Sequence, residues 1–162
     1  MAKRIVFRTD RAGATIDVPA GYQYRVVDTL VGGLRLLPLL LRTFGTGRAF
    51  KTLAKVATPR RAYYAVISEG RVASDGWIMF GFCRSYPIGS EDHVIGPIYT
   101  APQARGKGLA SAALANALRY CKGRGAEQVY IDTTEDNAAS RKTIEKAGFS
   151  PTQIVAAAPP GS

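Results

Sequence analysis

The spacing of apolar and polar positions predicts that the first third of the chain combines one strand with two helices. Apolar residues alternate with polar ones around Ile5 and Phe7, which is the period of a half-buried strand. A turn-rich region follows as far as Gly21, and two stretches with helical spacing are then separated by the breaker segment 44–47. The predicted elements are a strand at residues 3–8 and helices at residues 30–42 and 48–56.

The remaining two thirds of the chain mix strands and helices. Two runs of aromatic and β-branched residues joined by glycine-containing turns predict an antiparallel meander. Strand, helix and strand then follow one another, and such a crossover usually makes the two strands parallel neighbours. The predicted strands are 62–68, 76–84, 93–100, 128–133 and 149–155, the predicted helices are 109–121 and 138–147, and a loose tail is expected at 159–162.

Composition is that of a soluble globular domain. The chain has 162 residues, of which 46% are hydrophobic and 21% charged. A chain of this length can bury about two thirds of its unfolded surface in a single core. We therefore expect one domain over residues 1–156, followed by a flexible tail at 157–162.

Several classes of protein are excluded by the rarer residues. The two cysteines, Cys83 and Cys121, and the lone histidine, His93, support neither a disulfide framework nor a metal site. The charged N-terminus lacks the apolar core of a signal peptide, and charged residues and a proline interrupt the apolar stretch 26–41. These features favour a cytoplasmic protein without a metal.

The positive charge is concentrated in the first part of the chain. The net charge is +10, and residues 1–61 hold 12 Lys and Arg against 3 Asp, whereas residues 62–162 hold 10 basic residues against 9 acidic ones. A positive electrostatic field on one part of a protein attracts an anionic partner, which could be an acidic substrate, a lipid headgroup or a nucleic acid. A solvated basic face without a partner explains the same pattern.

A glycine-containing turn joins strand 93–100 to the helix that begins at Leu109. Gly106 and Gly108 have no Cβ, so the backbone there can approach a ligand closely. The amides of a helix's first turn and the helix dipole favour an anion, such as a pyrophosphate. The glycine spacing matches neither a Walker A loop nor a dinucleotide-binding turn, and a plain tight turn is the alternative.

The residues of this turn resemble the signature Q/RxxGxG/A of the GNAT superfamily of N-acetyltransferases. Gln103, Gly106 and Gly108 match the signature, and Arg105, Gly108 and Ala110 match it again in an overlapping frame. Acetyl-CoA is the co-substrate that this resemblance implies.

A second segment, residues 137–149, is similar to the family's next motif, an asparagine-started helix that ends in Gly-Phe. The resemblance covers roughly residues 62–156. It implies an α/β (α+β) fold, with a mixed, mostly antiparallel sheet of about six or seven strands flanked by about four helices. The central parallel pair, strands 93–100 and 128–133, would splay apart, and the basic helical region 1–61 would lie on the acceptor side of the core 62–156.

The resemblance also implies which residues bind the co-substrate. Proline cannot donate a backbone hydrogen bond, so Gly96-Pro97 inside an apolar strand independently predicts a local break in pairing. Ile98 is then the donor that would polarise the thioester carbonyl. Asn137 is equally expected as a helix N-cap. The implied cofactor-binding residues are Gly96, Pro97, Ile98, Gln103, Ala104, Arg105, Gly106, Lys107, Gly108, Leu109, Ala110, Asn137 and Ser140.

Catalysis requires a group that deprotonates the attacking amine, because an ordinary primary ammonium has a pKa near ~10.4. Asp92 and Asp132 occupy positions at which relatives in the family place a glutamate base. Their alternative roles are an exposed loop acid and a strand-end cap, respectively. The position of the family's thiolate-protonating tyrosine is Ile144, so either water or another hydroxyl protonates the thiolate, or the thiolate leaves unassisted.

The expected function is therefore acetyl transfer from acetyl-CoA to a primary amine by direct attack. The acceptor would be a small molecule, an amino sugar or a peptide, and an acidic acceptor is favoured by the basic residues Arg25, Arg35, Arg42, Arg48, Lys51 and Lys55. The alternatives are a non-catalytic CoA-binding or regulatory module and a basic binder of nucleic acid or of a membrane surface. The sequence contains no nucleic-acid motif, leaves peripheral membrane contact open, and fits a monomer or a homodimer.

Overall fold

Seven strands form one sheet in the computed structural model, which describes residues 3–156. The tail expected at 157–162 lies outside the described residues. The strands are β1 (Lys3–Thr9), β2 (Gln23–Val27), β3 (Arg61–Ser68), β4 (Arg71–Phe80), β5 (His93–Thr100), β6 (Val129–Thr134) and β7 (Ser150–Ala156). Their order in the sheet is β2-β3-β4-β5-β6-β1-β7. Every neighbouring pair is antiparallel except β5 and β6, which are parallel as predicted.

Three α-helices within residues 3–156 flank the sheet: α1 (Leu30–Val56), α2 (Leu109–Gly123) and α3 (Ala138–Lys146). A short 3-10 turn lies at Pro102–Ala104. Helix α1 is broken at Gly45, whose φ of 76° and ψ of 179° are not helical. The two helices predicted in this part are thus two segments joined at a glycine kink. Within residues 3–156, no helix combines the length and the apolar character needed to cross a membrane.

Both faces of the central strands are covered, and this explains the unbroken apolar run in β3. Tyr63 and Ala65 point toward α1, where they pack with Leu36 and Leu40. The alternate residues of β3 point toward α2 and join the larger core. A sheet buried on both faces has no need of polar residues on alternate positions.

Two features of the sheet differ from the prediction. The edge strand β2 was not predicted, and β4 covers Arg71–Phe80 rather than residues 76–84. Residues 1–61 are also not only a helical layer. They supply β1, which lies between β6 and β7, as well as β2, which pairs with β3. The sheet therefore draws strands from both the basic and the neutral part of the chain.

Candidate functional site

The parallel strands β5 and β6 separate soon after they meet. Only His93 with Val129 and Val94 with Tyr130 are paired, although both strands continue. On the other side of β5, the register with β4 shifts, so that the two residues Gly96 and Pro97 stand opposite one residue of β4. This bulge confirms the predicted break in pairing and leaves an opening between the two strands.

The backbone of β5 beyond the bulge presents hydrogen-bonding groups to this opening. The Ala101 N–H donates to the Ala73 carbonyl at 2.8 Å, on the β4 side. In an antiparallel ladder, successive residues direct their N–H and C=O groups to opposite sides. Ile98 and Thr100 therefore direct their backbone groups toward the opening, as the sequence prediction for Ile98 requires.

A cleft on the α2 side of the sheet leads from this opening to the glycine turn. It consists of two cavities, of about 480 Å³ and about 280 Å³. They share Thr100, Arg105, Ala110 and Thr143, so they form one continuous cleft. Its other lining residues are Ile98, Tyr99, Ala104, Gly106, Gly108, Leu109, Ser111, Leu114, Asn137, Ala139, Ser140 and Ile144.

The glycine turn places the start of α2 at one end of the cleft. Gly106 and Gly108 both have a left-handed φ, of 76° and 75°, and a Cβ at either would meet no atom within 4 Å. Glycine is thus favoured here by backbone conformation and not by crowding. No side chain in residues 3–156 caps the N-terminus of α2. Its first-turn amides lack intrahelical acceptors, as at every helix start, and are oriented to bind an anion.

Most of the predicted co-substrate residues lie along this cleft, and four do not. Gln103 lines a different cavity, on the α1 side of the sheet. Lys107 points toward the Tyr22 hydroxyl, at 3.3 Å. Gly96 and Pro97 line a further cavity on the α1 side. The structure therefore brings together the turn, Ile98 and the start of α3. It directs the side chain of Lys107 away from the cleft, and Gly96, Pro97 and Gln103 are not part of the cleft lining.

Helix α3 forms the wall of the cleft opposite β5. The Asn137 side chain accepts a hydrogen bond from the Ser140 N–H at 3.1 Å, which is the N-cap that the sequence predicted as one of its two roles. Ile144 lines the cleft and is 1% exposed. A hydrocarbon at this position supplies no proton to a leaving thiolate.

Asp92 serves as an anchor between the loop before β5 and the start of β6. Its two carboxylate oxygens accept hydrogen bonds from the backbone N–H of Gly89, at 2.8 Å, and of Gln128, at 3.1 Å. The residue is 7% exposed and lines neither the cleft nor the two cavities on the α1 side. The sequence left two roles open for Asp92, a catalytic base and an exposed loop acid. The second does not fit, because the side chain is buried.

Asp132 lies at the opening. It follows Tyr130, the last paired residue of β6, by two positions, as Gly96 follows Val94 on β5. Val129 and Ile131 belong to the core on the α2 side of the sheet. Because strand residues alternate between faces, Tyr130 and Asp132 therefore face the α1 side.

The carboxylate of Asp132 has two partners that sequence reasoning missed. It forms an ion pair with Arg4 of β1, and it accepts a hydrogen bond from the Tyr86 hydroxyl at 3.4 Å. Burial, and secondly the charge of Asp132, raise the pKa of Tyr86, so this hydroxyl stays protonated. Arg4 and Tyr86 come from distant parts of the chain, and no local motif marks them.

The cavity that Gly96 and Pro97 line is the one we call the α1-side cavity. It is basic and lies next to the bulge. It has a volume of about 290 Å³ and is lined by Lys55, Arg61, Trp77, Met79, Arg84, Gly96 and Pro97. Of the basic residues expected on the acceptor side, only Lys55 contributes to this cavity. Arg84 was missed because it lies on the loop after β4, outside the basic region 1–61. Arg61 is the last residue of that region, but it begins β3 and lies in neither of the predicted helices.

A buried carboxylate, Asp75, lies beneath the break in α1. Arg48 and the Tyr63 hydroxyl donate hydrogen bonds to it at 2.7 Å and 2.8 Å. Burial raises the pKa of Asp75, although the bond from Tyr63 and the charge of Arg48 oppose this effect. Arg48 is therefore engaged in holding α1 on β4. In residues 3–156, no group of three or more His, Cys, Asp or Glu side chains is arranged to hold a metal ion.

Comparisons with known proteins agree with this architecture. A mycothiol acetyltransferase from Stackebrandtia nassauensis is 37% identical over 78 residues, which are 46% of this chain and 25% of that protein. A GCN5-related N-acetyltransferase from Sphaerobacter thermophilus has the same fold, with a TM-score of 0.68 and 14% identity over 95% of this chain and 50% of that chain. The aminoglycoside N-acetyltransferase AAC(6')-Iy in complex with CoA superposes with a TM-score of 0.61 and 17% identity, over 90% of this chain and 99% of that chain.

This chain spans a quarter of the mycothiol acetyltransferase and half of the Sphaerobacter protein. The model of the acetyltransferase (GNAT) family matches residues 28–149, about three quarters of the chain. That range contains the glycine turn, the strands that open and the asparagine-capped helix. The chain belongs to the GNAT acetyltransferase family.

Proposed function

We propose that this protein is an acetyl-CoA-dependent N-acetyltransferase in which a primary amine attacks the thioester directly. One observation carries the proposal: a single cleft runs from the start of α2 to the opening between β5 and β6. The end at the start of α2 suits the phosphates of acetyl-CoA. The end at the opening suits its thioester, which supplies the acetyl group. Cys83 and Cys121 form no disulfide, which fits the cytoplasm as the proposed location.

Different residues of the cleft would bind different parts of acetyl-CoA. The backbone of Gly106–Ala110 would hold the pyrophosphate, with Arg105 as the adjacent cation. Ile98 and Thr100 would bind the pantetheine arm from one side, and Ser140 and Thr143 from the other. The Ile98 N–H, directed toward the opening, would donate to the carbonyl oxygen of the thioester. Such a donor is most effective where negative charge develops during the reaction.

Asp132 is the group that we assign to accept the amine's proton, directly or through one water. Continued two residues past its last pair, the β5–β6 register brings Asp132 opposite Gly96, and Asp132 faces the same side of the sheet as the α1-side cavity. Arg4 and Tyr86 fix its orientation. Asp92, by contrast, already accepts two backbone hydrogen bonds, so we assign it a structural role. The departing thiolate would take its proton from water, because Ile144 has none to give.

A binding and turnover assay tests this proposal. Acetyl-CoA should raise the melting temperature of the protein, whereas ATP and NAD should leave it unchanged. Thiol release in the presence of a panel of primary amines should then exceed the rate without amine. Absence of any shift with acetyl-CoA would contradict the proposal.

A second candidate function is a non-catalytic CoA-binding module. It is favoured by Ile144, which places a hydrocarbon where the family has a proton donor. Stabilisation by acetyl-CoA without thiol release, across a broad panel of amines, would select this alternative.

A further inference from the structure

The α1-side cavity carries three positive side chains that have no acidic partner. The ion pairs within residues 3–156 join Arg4 to Asp132, Arg48 to Asp75 and Arg124 to Asp28. Lys55, Arg61 and Arg84 take part in none of these pairs, and the cavity lining contains no Asp or Glu. Clustered like charges repel each other, and an anion placed among them relieves that repulsion.

Aromatic rings hold two of these cations in place. The Lys55 ammonium lies 5.5 Å from the centroid of the Trp77 ring. The Arg61 guanidinium lies 5.4 Å from the centroid of the Phe82 ring. Both distances are within the range of a cation–π interaction, which orders a cation without neutralising its charge. The positive charge therefore remains available to a ligand.

The position of the cavity identifies the ligand. Gly96 and Pro97, the two bulge residues, form part of its wall, so it adjoins the opening at which the thioester is expected. The start of α2, which suits the phosphates of the co-substrate, lies on the opposite face of the sheet. A volume of about 290 Å³ suits one group of a small molecule, not a whole polymer.

We propose that the α1-side cavity binds an anionic group, a carboxylate or a phosphate, of the amine acceptor. Arg61 and Arg84 would bind its oxygens with their planar guanidinium groups, and Lys55 would add a third charge. The flat ring of Trp77 would contact the adjacent carbon skeleton. The assignment of the ligand as the acceptor rests on the proposed function, whereas binding of the anion does not.

Trp77 makes a direct test feasible because it is the chain's one tryptophan. Its fluorescence is recorded while the protein is titrated with two matched pairs of amines: phosphoethanolamine against ethanolamine, and β-alanine against β-alaninamide. We expect a saturable change with the anionic member of at least one pair and none with its neutral counterpart. The pair that responds distinguishes a phosphate from a carboxylate.

Variants show whether the signal comes from this cavity. Arg84→Gln changes an exposed loop residue and Arg61→Gln a strand residue, and each should weaken binding about tenfold, the usual effect of one charge-assisted hydrogen bond. Lys51→Gln is the matched control, since it removes the same charge one helical turn before Lys55 and outside the cavity lining. It should change affinity less than twofold. Equal responses to anionic and neutral amines, or equal losses in Lys51→Gln and Arg84→Gln, would overturn the proposal.

The outcomes separate this proposal from the proposed function. Anion binding that depends on Arg84, in a protein that acetyl-CoA does not stabilise, would support the anion site and contradict the acetyltransferase. Acetyl transfer to neutral amines, without any anion-dependent change in Trp77 fluorescence, would support the acetyltransferase and contradict the anion site.

Discussion

The guanidinium of Arg48 lies 2.7 Å from the carboxylate of Asp75 and joins α1 to β4. Asp75 is 4% exposed, and its second donor is the Tyr63 hydroxyl at 2.8 Å. A carboxylate taken out of water in this way is costly unless charge and hydrogen bonds compensate it. The break at Gly45 lies three residues before Arg48, so the pair fixes the second segment of α1 on the sheet.

Replacing Arg48 by glutamine should lower the free energy of unfolding at neutral pH by about 1–3 kcal/mol, because the buried carboxylate loses its charged partner. This range lies below that of a fully buried pair because 47% of the Arg48 side chain is exposed. Urea unfolding of the variant and the wild type measures the loss. The double variant Arg48→Gln/Asp75→Asn should lose less than the sum of the two single changes.

The loss caused by Arg48→Gln should depend on pH. Burial already raises the pKa of Asp75, and removal of the Arg48 charge raises it further. A carboxyl whose folded pKa exceeds its unfolded one loses stability as the pH rises through that interval. The difference between variant and wild type should therefore be small at acid pH and fully present at neutral pH. A loss that is equal at every pH would point to packing and not to charge.

The same residues show why part of the sheet could not be predicted. Asp75-Gly76 has the local composition of a turn, and the sequence prediction therefore began a strand at Gly76. In the structure, Oδ2 of Asp75 accepts hydrogen bonds from Arg48 and Tyr63, which are remote in sequence, whereas Oδ1 is buried without a partner among the described residues. Gly76 is required by packing, because a Cβ there would lie 2.2 Å from the Tyr64 hydroxyl oxygen. Long-range contacts, invisible in a local pattern, decide that this segment lies inside β4.

The candidate site, like the sheet, could be predicted only where its residues lie in a local motif. The glycine turn and the asparagine-capped helix are contiguous motifs, so the sequence could predict the lining of the cleft. Arg4 reaches the opening from β1, whereas Tyr86 and Arg84 both reach it from the loop after β4. They are adjacent only because β1 pairs with β6 and because the loop after β4 folds back over the sheet. Sheet register, which the pattern of apolar residues does not determine across distant strands, sets their positions.

The conformation of Gly108 gives a prediction about acetyl-CoA binding. Its φ of 75° is unfavourable for alanine by about 1–2 kcal/mol. Gly108→Ala should therefore destabilise the protein by about that amount and abolish or strongly reduce its thermal stabilisation by acetyl-CoA. Gly123→Ala is the matched control in the same helix, because Gly123 does not have a positive φ and a Cβ there meets no atom within 4 Å. Equal effects of the two substitutions would contradict a role of the turn's conformation.

The two cysteines should differ in reactivity toward a thiol reagent. Burial raises the pKa of the Cys121 thiol to about 12, and the residue is 0% exposed, whereas Cys83 is partly exposed. Only the thiolate reacts, so the native protein should titrate one thiol and the unfolded protein two. Absorbance of the released chromophore, with and without denaturant, measures both. A second thiol that reacts rapidly in the native protein would contradict the packing of α2 on the sheet.

The positions of Asp132 and Asp92 predict opposite consequences for the same chemical change. Asp132→Asn should reduce kcat about 10²–10⁴-fold, because the amine's proton loses its acceptor. It should leave the thermal shift with acetyl-CoA unchanged, because the cleft lies on the other face of the sheet. An unchanged kcat in Asp132→Asn would contradict this role.

Asp92→Asn should instead act on stability. An amide at this position turns one acceptor into a donor that faces the N–H of Gly89 or Gln128, so we expect a loss of about 1–3 kcal/mol in the free energy of unfolding. The kcat of the folded variant should remain close to that of the wild type. Paired measurements of kcat and of urea unfolding on both variants discriminate between the two acids. A large loss of kcat in Asp92→Asn, together with an unchanged kcat in Asp132→Asn, would move the proton acceptor from β6 to the loop before β5.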